Sequence, residues 1–93
     1  MYKFKLYIAG ETPVSVNAIN SLKGLLEDKF KDQYLLQIID VIGNPEVAES
    51  DKIFATPTMV KTHPPPVVRI IGDLSNREKV SLVVLEGYSR VFH

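Results

Sequence analysis

The sequence predicts an α/β domain of order β-α-β-α-β-β-α, built on a four-stranded mixed sheet with helices on both faces. Three observations carry that expectation. Two largely apolar stretches, at 3–9 and 34–42, flank a segment of helical period, the pattern of a parallel βαβ unit. An apolar run interrupted by proline, Ile53-Phe54-Ala55-Thr56-Pro57-Thr58-Met59-Val60, is followed by Pro64-Pro65-Pro66 and a second apolar run, which reads as two short strands joined by a stiff elbow. Ser75-Asn76-Arg77-Glu78 then has the form of a capping box and opens a last helix.

The elements follow in order. Lys3-Phe4-Lys5-Leu6-Tyr7-Ile8-Ala9 alternates before becoming fully apolar, as a strand does when it passes from half-exposed to buried. Thr12-Pro13 supplies an N-cap and a proline at the first helical position, where its missing N–H costs nothing. The helix should run from Pro13 to about Lys29, with Ile19, Leu22, Leu26 and Phe30 on one stripe widened by Val16, Ala18 and Leu25. Gly24 within it lowers helix propensity and leaves room for close packing. The run at 34–42 is rich in β-branched residues and reads as a central strand covered on both faces. Asn44-Pro45 repeats the cap-then-proline device and opens a short helix to about Ile53, with Val47, Ala48 and Ile53 inward.

Pro57 has no N–H for a ladder and holds Thr56 extended, so it marks the entry to a strand at 58–62. A Thr56–Pro57 bond at a strand entry can be cis or trans, and the residues leave both open. The second strand is Val67–Ile71, closed by Gly72-Asp73, and the two strands are antiparallel if the elbow is a hairpin. The last helix should span Asn76 to about Tyr88 with Ser75 as its cap. Val80-Ser81-Leu82-Val83-Val84-Leu85 also fits a strand by composition, but the capping box and the lack of glycine before Gly87 favour helix.

Ninety-three residues, 1–93, make one domain that can bury only about 60% of its chain surface. Lysine plus arginine equal aspartate plus glutamate at 11 each, without the basic excess of a nucleic-acid binder. A net charge near zero weakens mutual repulsion and suits self-association, as monomer, dimer or tetramer. The chain has no cysteine, which excludes disulfides, thiolate nucleophiles and Cys-ligated metals. With no signal-peptide core at the N-terminus and no apolar run near the roughly 18 residues of a span, the expected compartment is the cytoplasm.

The element order is the thioredoxin-like one, and the residues themselves carry a family resemblance. Leu6-Tyr7-Ile8-Ala9-Gly10, Thr12-Pro13, Asp40-Val41, Asn44-Pro45, Asp51-Lys52-Ile53, Ala55-Thr56-Pro57-Thr58, Pro64-Pro65-Pro66-Val67 and Arg69 through Val80 closely resemble KaiB, a family of circadian-clock proteins. The resemblance implies a non-enzymatic protein that docks on the ring of a KaiC-like ATPase and helps to capture a KaiA-like regulator or an output histidine kinase. It also implies two folds, a thioredoxin-like monomer and a tetrameric ground state with a rearranged C-terminal half. The alternative role is a KaiB-like sensory or adaptor domain that binds a histidine kinase or stress-response partner without KaiC.

By resemblance, Lys52 and Lys61 lie near the surface facing KaiC, with Phe54 and Ala55 as apolar neighbours. Gly72 and Asp73, together with Val83 and Leu85, are the candidate determinants of fold state: Val83 and Leu85 stand where the family usually carries Gly and Asp. Both changes favour an uninterrupted last helix, because Gly and Asp are the poorer helix formers. Asn17 and Val68 stand where arginines are common, which removes positive charge from surfaces that meet partners.

Catalytic and cofactor sites find little support. The position of a thioredoxin Cys-x-x-Cys reads Gly10-Glu11-Thr12-Pro13, opposite Pro57, so thiol exchange is excluded and only a peptide- or glutathione-binding remnant could survive there. His63 and His93 lack ligand spacing, and read as loop and tail residues rather than a metal site. No phosphate-cradling glycine motif occurs. Glu49 and Asp51 read as solvated charges, and Lys61 as either a partner contact or a solubilising edge charge. No cofactor is expected.

Overall fold

The computed structural model describes residues 1–86 and 90–92. Strand β1 (Tyr2–Ile8) pairs in parallel with β2 (Tyr34–Asp40) on one side and antiparallel with β3 (Thr58–His63) on the other. β3 pairs antiparallel with β4 (Val68–Gly72), so the elbow is a true hairpin. Helices α1 (Pro13–Phe30), α2 (Pro45–Ser50) and α3 (Arg77–Glu86) complete the expected order. A short strand β5 (Arg90–Phe92) adds to β4 in parallel, extending the mixed sheet to the order β2-β1-β3-β4-β5. Three residues carry no periodic signal, which is why β5 was not legible. The expected helix end at Tyr88 lies outside the described residues.

Alternation along β1 divides the core. Phe4, Leu6 and Ile8 join Met59 and Ile70 beneath α1 and α3, against Leu22, Leu26, Val80, Val83 and Val84. Tyr7 turns to the opposite face, where it meets Ile39 and Val60 under Val47 and Ile53 of the α2 segment. Helices thus cover both faces, unequally: one carries α1 and α3, the other a helix of six residues. At the far end of the larger core Tyr2 stacks on Phe30 with centroids 4.1 Å apart, closing the bottom of α1 onto β1.

Four local expectations are corrected. β2 is an edge strand, not a central one: Tyr34 and Leu36 pack towards α1 and Ile39 towards α2, but Leu35 is 55% exposed. Apolar residues on both faces are demanded equally by a central strand and by an edge strand flanked by helices, so the run could not separate them. The α3 cap is Asn76 rather than Ser75, since Asn76 Oδ1 accepts the Lys79 amide at 3.1 Å while the Ser75 amide is taken by Asp73 Oδ1 at 2.8 Å. Val16 faces solvent. Gly24 admits no close neighbour, for a Cβ placed there would meet nothing within 4 Å.

Since Gly24 is an exposed mid-helix residue in open space, Gly24→Ala should raise the unfolding free energy by about 0.5–1 kcal/mol. Urea unfolding at unchanged m-value measures this, and a lowered midpoint would mean that the site is constrained after all.

Candidate partner-binding site

The residues singled out from the sequence converge on the turn between α2 and β3. α2 stops at Ser50 because the chain winds tightly around its end: the Asp51 amide donates to Val47 O at 2.8 Å and the Ile53 amide to Ala48 O at 2.8 Å. Lys52 takes φ 57°, a left-handed conformation that ends the helix at the cost of some strain. Ile53 drops into the smaller core, and the next side chain is thrown outward. Phe54 is 93% exposed, with Lys52 and Ala55 exposed on either side of the pair. Thr56 is half-buried, the Thr56–Pro57 bond is cis, and the buried Thr58 hydroxyl donates to Ala55 O at 2.6 Å, tying the turn to the start of β3.

Two strands reach across to hold this turn. Arg69 on β4 donates from Nη2 to Asp51 O at 2.6 Å and from Nη1 to Lys52 O at 3.0 Å. The planar guanidinium fork suits two successive carbonyls as it suits a carboxylate. Tyr7 on β1, buried, donates its hydroxyl to Asp51 Oδ2 at 2.5 Å. Asp51 is therefore not the solvated charge that the sequence suggested. Burial, the hydrogen bond to Asp51 and that carboxylate's charge push the Tyr7 phenol well above its ordinary value, while Arg69 draws it the other way. Asp51, Arg69 and Tyr7 lie too far apart in sequence for any local pattern to have grouped them, and only the sheet register unites them.

Lys61 is placed differently from an edge charge. It is 3% exposed and donates from Nζ to Pro64 O at 2.7 Å, so it clamps the proline elbow from within. Burial pushes its ammonium down from the usual lysine value. The elbow itself contains cis bonds at His63–Pro64 and Pro65–Pro66. His63 is exposed beside Thr62, and His93 lies outside the described residues.

Gly72 and Asp73 sit at the exit of β4. Gly72 has φ 109° and gives its amide to Pro57 O at 3.1 Å, while hydrogen bonds from Ser75 hold the Asp73 carboxyl below its ordinary value. Beside them a cleft of about 430 Å³ is bounded by Val14, Asn17, Ala18, Pro57 and Leu74. Among the described residues lining it the only carboxylate is Asp73 and the other polar groups are the neutral Asn17, Ser21 and Ser75, so no acid–base pair converges among them. Val83 is buried in the larger core and Leu85 is exposed on α3. Val68, buried, contributes to the sheet interior, not to a surface. Among the described residues no group of three or more His, Cys, Asp or Glu is placed to hold a metal ion, and no helix is long and apolar enough to cross a membrane.

Comparison with known proteins gives this arrangement a family. The model of the KaiB domain matches residues 5–85. The circadian clock oscillator protein KaiB of Rippkaea orientalis is 62% identical over 79 residues, covering 85% of this chain and 76% of that protein. The same protein of Thermostichus vulcanus is also 62% identical over 79 residues, covering 85% and 73%. Among solved structures, the N-terminal domain of Synechococcus elongatus SasA aligns with TM-score 0.73 at 21% identity over 91% of this chain and 84% of that one. Mitochondrial thioredoxin 3 of Saccharomyces cerevisiae aligns with TM-score 0.71 at 17% identity over 91% and 77%. These two likenesses establish the thioredoxin-like fold.

The raised Tyr7 phenol has a pH signature. Its contribution is complete below 10.0, the ordinary phenol value, and is lost as pH climbs above it, because the unfolded chain then gives up a proton that the folded chain keeps. Tyr34, donating to Glu27, acts in the same direction. Tyr7→Phe should cost about 1 kcal/mol at neutral pH and make the fall in stability between about pH 9.5 and about pH 11 shallower. Urea midpoints across that range measure both, and an unchanged alkaline slope would rule out the buried phenol as its source.

Proposed function

This chain belongs to the KaiB family, and we propose that it is a regulatory protein without chemistry of its own, docking on the ring of a KaiC-like ATPase. In that assembly it helps to sequester a KaiA-like regulator or an output kinase. The observation that carries the reading is Phe54, an aromatic side chain 93% exposed on a turn that is pinned from two strands, through main-chain oxygens by Arg69 and through the Asp51 carboxylate by Tyr7. A large apolar group so presented is an anchor for a partner's pocket, and a turn already ordered loses little further freedom on binding. Lys52 adds a positive charge beside the anchor, and Ala55 leaves space next to it. Lys61 contributes from beneath by holding the elbow.

The experiment is capture of a purified KaiC-type ATPase by the full chain, with and without ATP. Phe54→Ala and Lys52→Glu should each weaken it at least about tenfold, which corresponds to about 1.4 kcal/mol. Robust capture that both variants leave unchanged would move the site elsewhere. No capture by the native chain would favour the adaptor reading, in which a histidine kinase or stress-response protein is the partner.

The thioredoxin-like form is also proposed as the resting state. Val83 fills the core where glycine would leave it empty, Leu85 replaces a poorer helix former, and Gly72 with Asp73 sets the exit from β4 into α3. NMR secondary structure in dilute solution should show helix at 77–86; strand there in the resting protein would refute the assignment.

A further inference from the structure

The cleft beside Pro57 is lined by three separate pieces of the chain, and their polar groups are of one kind. Val14, Asn17, Ala18 and Ser21, at i, i+3, i+4 and i+7 of α1, form one wall. Pro57 at the entry of β3 and the connection from Gly72 to Ser75, between β4 and α3, form the rest. The volume of about 430 Å³ is that of a small-ligand site. Among the described residues lining it the one formal charge is that of Asp73. The Ser75 amide donates to Asp73 Oδ1 at 2.8 Å, and the hydrogen bonds from Ser75 keep the carboxyl ionised. A carboxylate has about four acceptor sites, so about half of its capacity stays open. Arg77, the nearest arginine on α3, is engaged by Asp28, and among the described residues no cation pairs with Asp73. An anion is poorly served by contrast. No lysine or arginine is among these lining residues, and the helix starts beside the cleft have given amides to their own caps, Ser15 N to Thr12 Oγ1 and Lys79 N to Asn76 Oδ1, both at 3.1 Å. A tripeptide with two carboxylates, such as glutathione, is thus mismatched to it.

We propose that this cleft is a binding site for an alkylguanidinium, the group carried by an arginine side chain or by a small free guanidine. The planar cation has donors along several edges, and the cleft has acceptors on two walls. One edge meets the open side of the Asp73 carboxylate; another meets the neutral oxygens of Asn17 and Ser21 on α1. The alkyl stem lies on Val14, Pro57 and Leu74, as the stems of long cationic side chains lie on apolar surface. An ammonium is a compact, strongly hydrated point charge, and it reaches one wall or the other rather than both. Because Asp73 is exposed, water and salt screen the pair, so affinity is modest and falls with ionic strength. The site is independent of the KaiC reading: its lining residues do not include Lys52 or Phe54, and its test needs no ATPase.

Heteronuclear NMR on the full chain, titrated with butylguanidinium to about 20 mM, should move the amide signals of residues 14–21 and 72–75 with a dissociation constant of about 1–10 mM. Butylammonium should bind several-fold more weakly. Asp73→Asn keeps an oxygen for the Ser75 amide while removing the charge, and should weaken butylguanidinium at least about fivefold. Asn17→Arg, at an exposed helix position, places a tethered guanidinium in the cleft and should exclude the free one, with circular dichroism as the folding control for both variants. An acetylated, amidated Gly-Arg-Gly peptide identifies the source: tighter binding than butylguanidinium assigns the site to an arginine of a partner protein, and equal or weaker binding assigns it to a small free guanidine. The proposal is overturned if butylguanidinium moves none of these signals, if butylammonium binds equally well, or if both folded variants bind as the native chain does.

Discussion

A helix of six residues with no buried side chain cannot be held to a sheet by apolar contact alone. On the smaller face of this protein Val47 and Ile53 supply some of that contact, and hydrogen bonding supplies the rest. The Arg69 fork and the Tyr7–Asp51 pair tie the end of α2 to the two strands that frame β3, one on each side. Charge-assisted bonds of this kind are stronger than neutral ones. Everything presented by the turn, Phe54 included, takes its position from them.

The opposite face follows a different rule. Beneath α1 and α3 the core is continuous from Leu74 to Phe30 and needs no polar staple. Among the described residues the one ion pair there, Arg77 with Asp28, is exposed at both ends and contributes little to stability. The two faces therefore divide the labour: a broad apolar side supports the fold, and a thin, polar-braced side displays a loop. The surface proposed for a partner is a side product of this asymmetry, formed where the helix is too short to cover the sheet.

Much of the fold was legible in the residues. Thr12-Pro13, Asn44-Pro45, Pro57 and Pro64-Pro65-Pro66 punctuate the chain so strongly that every element up to β4 lies within a few positions of expectation, because proline constrains its neighbours locally. What was not legible depends on long-range geometry. The edge position of β2 is set by which strands flank β1, and its sequence is silent on that. At α3 the choice between Ser75 and Asn76 as cap turned on the Asp73 carboxylate taking the Ser75 amide first. In the site, Lys52 and Phe54 were visible as residues of the turn, whereas Arg69 was visible only as a charge in a strand. For Lys61, read as a partner contact or an edge charge, the burial was hidden for the same reason, since the carbonyl that draws it inward belongs to a proline whose orientation the sequence does not state.

The Arg69 fork grips main-chain oxygens, and every amino acid has one. Side chains at 52, 54 and 55 can therefore be exchanged while the loop keeps its shape, so long as Asp51, Tyr7 and Arg69 stay in place. Such a loop can acquire a new taste in partners one mutation at a time, with little penalty to the framework that carries it. Altering Arg69 would do the reverse, leaving the lettering intact and bending the page.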